Sequence, residues 1–196
     1  YSYETKGTFE GNRDVKERAR RLVLEGARSS DVLVRRESLR QLYFVFFTDL
    51  FIINDDGTIT VHPDVQRTIE FLNGKESDED NEKMIHFYLD ENEIVKEALR
   101  LIARRPTSFP SMRRQRVVLH YMRSKSVLIR QLAFNALEAA FGMDLVVKQN
   151  GEYKLNPDVE EALRYYLAHE DDKALREIAG RYFDKEWINS YIKKNS

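Results

Sequence analysis

Residues 51–65 read FIINDDGTITVHPDV and residues 146–159 read VVKQNGEYKLNPDV. Each phrase sets β-branched or apolar residues before an Asp-Gly or Asn-Gly pair, alternates after it, and closes on Pro-Asp-Val. Paired positive-φ positions favour Asn, Asp and Gly, so Asp56-Gly57 and Asn150-Gly151 predict two-residue hairpin turns. The strands after them are Thr58-Ile59-Thr60-Val61 and Glu152-Tyr153-Lys154-Leu155. Proline fits the first turn of a helix and Asp complements its dipole, so Pro63-Asp64 and Pro157-Asp158 predict helix starts. A two-stranded hairpin is marginal alone in water, so each must lie on helices.

The echo extends beyond the phrase. At an offset of 95, residues 14–35 share nine identities in 22 positions with residues 109–130: Arg18/Arg113, Arg21/Arg116, Val23/Val118, Leu24/Leu119, Arg28/Arg123, Ser29/Ser124, Val32/Val127, Leu33/Leu128 and Arg35/Arg130. Asp49-Leu50 matches Asp144-Leu145, and at an offset of 94 Gly57 meets Gly151 and Tyr88, Asp90 and Ile94 meet Tyr182, Asp184 and Ile188. Such self-similarity marks a duplicated unit. The expected organisation is an N-terminal arm or edge strand over residues 1–13, one helical unit over 14–106 and a second over 107–196, divided at the proline-containing RRPTSFPS.

Helical periodicity dominates both units. Val15, Ala19, Leu22 and Val23 predict one packed face; Leu39, Leu42, Tyr43, Phe46 and Phe47 predict a second, repeated by Phe134, Leu137 and Phe141. Val65, Ile69 and Leu72, and Val159, Leu163 and Tyr166, predict the buried face of the proline-started helices. Further helices are expected over 81–104, broken near Asp90, and over 173–193. The fold class is therefore mainly α: two tandem pseudo-repeats, each a helical unit with one β-hairpin.

Composition narrows the chemistry. The 196 residues carry 32 Lys and Arg against 33 Asp and Glu, with no cysteine. That excludes a disulfide scaffold, thiol catalysis and thiolate metal sites, and accords with a cytoplasmic setting, or a nuclear one in a eukaryote. No apolar run reaches the roughly 20 residues that cross a bilayer, so no membrane partner is expected. The loop NDDGTIT superficially resembles a calcium loop, but Ile52 and Pro63 fall where its first and last ligands belong. His62, His86, His120 and His169 are scattered, and there is neither a nucleophile elbow nor a phosphate-cradling glycine loop. The expectation is a non-enzyme without catalytic, cofactor or metal residues.

Two charge features remain. From Ala98 through Leu137 there is no acid, while Arg100, Arg104, Arg105, Arg113, Arg114, Arg116, Arg123, Lys125 and Arg130 supply nine cations. Arg104, Arg105, Arg113, Arg114, Arg116, Arg123, Lys125 and Arg130 are candidate anion or nucleic-acid contacts, with Phe109 or Tyr121 available for stacking. The alternative is pairing with the acids of 76–93. The second feature is the set of arginines and aspartates kept in both copies, which predicts matching ion pairs, such as Arg35 with a nearby Asp. Trp187 and Tyr191 are candidate partner anchors, with packing of the last helix as the other use.

Val34-Arg35, Ser38 and Leu42, echoed by Ile129-Arg130, Ala133 and Leu137, resemble the second helix of HEAT-type repeats. The resemblance implies a scaffold for protein partners. The order of helices and hairpin in the second copy also suits a winged-helix-like unit, in which SVLIRQLAFNALEAAF is the reading helix and Arg130, Gln131 and Asn135 its only base-contacting residues. The leading expectation is a protein-interaction module, an adaptor, scaffold or regulatory subunit with a protein partner and scope for homo-oligomers. Nucleic-acid binding through residues 100–130 is the alternative.

Overall fold

The computed structural model describes residues 8–195. The chain is mainly helical with two antiparallel hairpins, and it divides into two compact units. The first runs to Ile52 and resumes at Thr60–Ile94; the second takes Ile53–Ile59, the tip of the first hairpin, and the chain from Val95 onward. The division falls between Ile94 and Val95, within the first turns of the helix Glu91–Arg104.

In the first unit, helix α1 (Thr8–Ala27) packs against α2 (Val32–Phe46). Of the arm or edge strand expected over 1–13, residues 8–13 are therefore helix, and residues 1–7 lie outside the described residues. Gly26 makes the α1–α2 approach close: a Cβ there would stand 2.2 Å from Ser38 Oγ. The face predicted for α1 is only half right. Ala27 is buried and Ala19 and Val23 are half-buried, one turn apart, but Val15 and Leu22 face out. The inward stripe thus runs in steps of four, and Val15 and Leu22 lie off it.

Asp31 caps α2 through Leu33 N and Val34 N, and Leu39, Leu42 and Phe46 are buried as predicted. A 3-10 turn, Phe47–Leu50, leads into β1 (Phe51–Ile53) and β2 (Ile59–Val61). The turn between them differs from expectation. Only Gly57 has positive φ; Gly57 N donates to Asn54 O at 3.0 Å and Asn54 N to Thr58 O at 2.9 Å. Asp56 is not left-handed but accepts from Thr58 N and Thr58 Oγ1, so the loop is a β-turn followed by a left-handed glycine. Helix α3 (Pro63–Leu72) starts at its proline with His62 Nδ1 accepting from Asp64 N, and buries Val65, Ile69 and Leu72. Helix α4 (Glu79–Leu89) ends at Asp90, whose carboxylate then accepts from Asn92 N and Glu93 N at the head of α5 (Glu91–Arg104).

The second unit continues with α6 (Ser111–Tyr121), α7 (Val127–Asn135) and α8 (Leu137–Phe141). The single helix expected over 126–141 is interrupted at Ala136. Strands β3 (Val146–Gln149) and β4 (Glu152–Leu155) pair in the register Val146 to Leu155 and Gln149 to Glu152. Here both turn residues are left-handed, Asn150 at φ 52° and Gly151 at φ 85°, as the sequence predicts. Asn156 caps α9 (Pro157–His169), which buries Val159, Leu163 and Tyr166; α10 (Lys173–Arg181) and α11 (Lys185–Asn195) complete the unit. Asp184 occupies the place of Asp90 and accepts from Glu186 N at the start of α11.

Candidate functional site

The turn between α1 and α2 and the turn between α6 and α7 are built from the same bonds at corresponding positions. Ser29 Oγ accepts from Asp31 N at 3.1 Å, and Ser124 Oγ accepts from Ser126 N at 3.2 Å. Arg35 Nη1 donates to the carbonyls of Ser29 and Ser30, both at 2.9 Å. Arg130 Nη1 donates to those of Ser124 and Lys125 at 2.9 and 3.1 Å. Each arginine satisfies carbonyls left over at a helix end, a task for which its planar fork is suited.

Behind each arginine stands a glutamate. Arg35 holds Glu76 through two bonds, and Glu76 also accepts from Ser77 N, Asp78 N and Asn81 Nδ2. The Arg35 bonds, working against burial and with help from these donors, hold the Glu76 carboxyl at about 2. In the second unit Glu170 takes that place: it is buried, accepts from Asp172 N and Gln131 Nε2, and lies beside Arg130, which donates to His169 O at 2.7 Å. Burial pushes the Glu170 carboxyl up, but the Asp172 N–H and the neighbouring polar groups outweigh it and the net shift is downward. The expected pair of Arg35 with an Asp is thus an Arg–Glu pair, and in the second unit backbone carbonyls replace the direct ion pair.

On the outer side of both turns a Val-Leu pair faces out. Val32 and Leu33 are 36% and 64% exposed; their counterparts Val127 and Leu128 are 50% and 49% exposed. Arg28 and Arg123 lie four residues before each pair and are exposed, with Arg28 donating to Thr68 Oγ1 at 3.0 Å and Arg123 paired with Glu161 at 3.1 Å. An apolar pair at the head of a helix, held on a hydrogen-bonded turn, can receive an apolar side chain of a partner. The sequence shows these identities but not their exposure. The available signal is position: Leu33 and Leu128 fall off the stripe that buries Leu39, Leu42 and Phe46.

The basic stretch is largely engaged. Arg130 is buried in its turn. Arg114 donates to Ala140 O, Pro106 O and Phe109 O at 2.8, 3.1 and 3.0 Å, tying α6 to α8 and to the segment that precedes α6. Arg116 pairs with Asp55 at 3.3 Å. Arg105 is exposed but takes part in an interaction, while Arg104, Arg113 and Lys125 are exposed. The acids of 76–93 find partners in their own unit: Glu76 with Arg35, Asp78 with Arg36 at 2.5 Å, Glu79 with Lys83 and Glu82 with His86. Of the three base-contacting residues expected on the reading helix, Arg130 and Gln131 are bonded within the unit and Asn135 is exposed.

Trp187 stacks on Tyr191 with ring centres 5.0 Å apart and lies 4.3 Å from Tyr182. Tyr191 is buried and its hydroxyl donates to Gly142 O at 2.9 Å, so it packs the last helix. Tyr182 donates to Glu138 at 2.7 Å, and burial, reinforced by that carboxylate, pushes its phenol upward. Trp187 is half-buried in this cluster.

A cleft of about 520 Å³ lies between α1 and α3, lined among others by Arg20, Arg21, Glu25, His62 and Arg67. Arg20 is committed to Asp49 and Glu17, and Arg67 to Asp64. Among the described residues no group of three His, Cys, Asp or Glu is placed to hold a metal ion, and no helix is long and apolar enough to cross a membrane. No known family, curated protein or solved structure matches this chain.

Proposed function

We propose that this chain is a non-enzymatic protein-interaction module, an adaptor, scaffold or regulatory subunit built from a duplicated helical unit, and that it engages its partner through the twin patches Val32-Leu33 and Val127-Leu128. One observation carries the reading: the same apolar pair occurs at the same place in both units and is exposed in both. A packing role would account for buried identities, and Leu42 and Phe46 have one. It does not account for leucines that solvent reaches. Two copies of one patch also suit a partner that presents two apolar segments, since linking weak contacts multiplies affinity.

The test is affinity capture from the native host with nuclease treatment, comparing the wild-type chain with Leu33→Asp, Leu128→Asp and the double variant. The expected result is partial loss of a specific partner in each single variant and full loss in the double, with unchanged melting temperature because neither leucine is buried. Capture that survives the double substitution overturns the patch assignment.

Nucleic-acid binding remains the alternative, resting now on exposed Arg104, Arg113 and Lys125. Three phosphate contacts imply a slope of log K against log salt of about −2.7. Absence of binding to short DNA and RNA at low salt removes that reading.

A further inference from the structure

The tip of the first hairpin, Ile53–Ile59, belongs to the second unit and rests there on α6. Asp55 pairs with Arg116 at 3.3 Å, and Ile59 N donates to the Tyr121 hydroxyl at 3.2 Å. Gly57, at φ 87°, comes so near the helix that a Cβ would stand 2.6 Å from Arg116 O and 2.9 Å from His120 Cβ. Only glycine fits both the conformation and the gap. This is a plug in a socket: a left-handed glycine against a helix backbone, fixed by one arginine.

Among the described residues the glycine turn and the helical arginine of that arrangement recur without each other, with Gln149 in the place of Asp55 and Gly26 in that of Tyr121. The second hairpin carries Gly151 in the place of Gly57, also left-handed at φ 85°, with no atom within 4 Å of where its Cβ would be. Gln149, Asn150, Gly151 and Glu152 are all exposed. On α1, Arg21 holds the place of Arg116 and Glu25 that of His120; both are exposed and both line the α1–α3 cleft. Among the described residues Arg21 has no ion pair. Both surfaces carry both signs: Lys148, Glu152 and Lys154 at the free tip, and Glu17, Glu25 and Asp64 beside Arg20, Arg21, Arg28 and Arg67 in the cleft.

We propose that the β3–β4 tip of one copy seats on α1 of a second copy, with Gln149 on Arg21 and Gly151 against the helix backbone, so that the chain associates head to tail with itself. The surfaces joined are different, so the association is heterologous and extends into short open chains or a ring instead of stopping at a twofold dimer. A contact made by one hairpin tip supports affinities in roughly the micromolar to millimolar range. The inference does not depend on the partner patches at Val32-Leu33 and Val127-Leu128, which lie at other positions.

Sedimentation velocity of the full chain over a concentration series tests it. The wild type is expected to show concentration-dependent association. Gln149→Asp, which copies Asp55, strengthens it, and Gln149→Arg or Arg21→Asp alone weakens it about tenfold or more. Mixing Gln149→Arg with Arg21→Asp restores association, because each protein then offers the other a complementary half. All substituted residues are exposed, so folding is retained. A wild type that stays monomeric to millimolar concentration overturns the proposal. So does association that none of the three substitutions alters, or a mixture that shows no recovery.

Discussion

Arg35 grips both carboxylate oxygens of Glu76, Nε to Oε2 at 2.7 Å and Nη2 to Oε1 at 3.0 Å, while its remaining nitrogen caps the turn before α2. With Glu76 held at about 2 against an ordinary 4.5, the folded carboxyl is the stronger acid. The stability it contributes is therefore fully present above about pH 4.5 and is lost as the pH falls toward 2. Urea midpoints measured across that window should fall less steeply for Glu76→Gln than for the wild type. Arg35→Met leaves the buried carboxylate unpaired and should cost about 3–5 kcal/mol at neutral pH, more than Glu76→Gln. Single costs that simply add in the double variant would show that the pair is not coupled.

Phe47 and Gly142 occupy corresponding positions and share an unusual backbone, φ 45° and ψ −117° at Phe47, φ 51° and ψ −130° at Gly142. That region suits glycine and strains a side chain. Nothing lies within 4 Å of a Cβ placed at Gly142, so Gly142→Ala isolates the backbone cost and should destabilise by about 1–3 kcal/mol. Phe47→Gly should cost less than a half-buried aromatic normally does, because relief of strain offsets the lost edge contact with Tyr43. Thermal unfolding of the two variants checks both statements.

Arg113 and Arg114 are neighbours with opposite duties. Arg114→Ala strands three carbonyls and should lower stability by about 1–3 kcal/mol, whereas Arg113→Ala should leave it within about 0.5 kcal/mol. Denaturant titration separates them. If Arg113→Ala proves the more damaging, the structural assignment of the basic stretch is wrong.

Asp90 and Asp184 each begin a helix, and loss of either cap should cost about 1 kcal/mol. Asp184→Asn, which keeps the acceptor, should recover most of the loss seen in Asp184→Ala.

Much of this was legible from local chemistry. Proline at Pro63 and Pro157 marked the helix starts, and the apolar spacing of Leu39, Leu42 and Phe46 marked a buried face, because both signals act within one turn of chain. The turn at Asp56-Gly57 departs from the two-residue form since Asp56 has a nearer use for its carboxylate on Thr58, and a dipeptide cannot report that. The break of α7 from α8 at Ala136 carries neither Gly nor Pro. Val15 and Leu22 look buried by spacing alone, and which side of a helix meets its neighbour is decided by tertiary packing. The partner of Arg35 was out of reach for the same reason: Glu76 is distant along the chain, and only its matching position with Glu170 hints at a common task.

The hydroxyl of Tyr191 reaches Gly142 O, the carbonyl of the residue whose backbone is left-handed. The last helix is thereby fastened to the segment that leads into β3. Weakly anchored helices open locally, and their amides exchange with solvent through these small openings. Here the first turns of α11, from Glu186 to Tyr191, should exchange with the slow amides of α9, and Tyr191→Phe should uncouple them, turning α11 from a clasp into a loose flap.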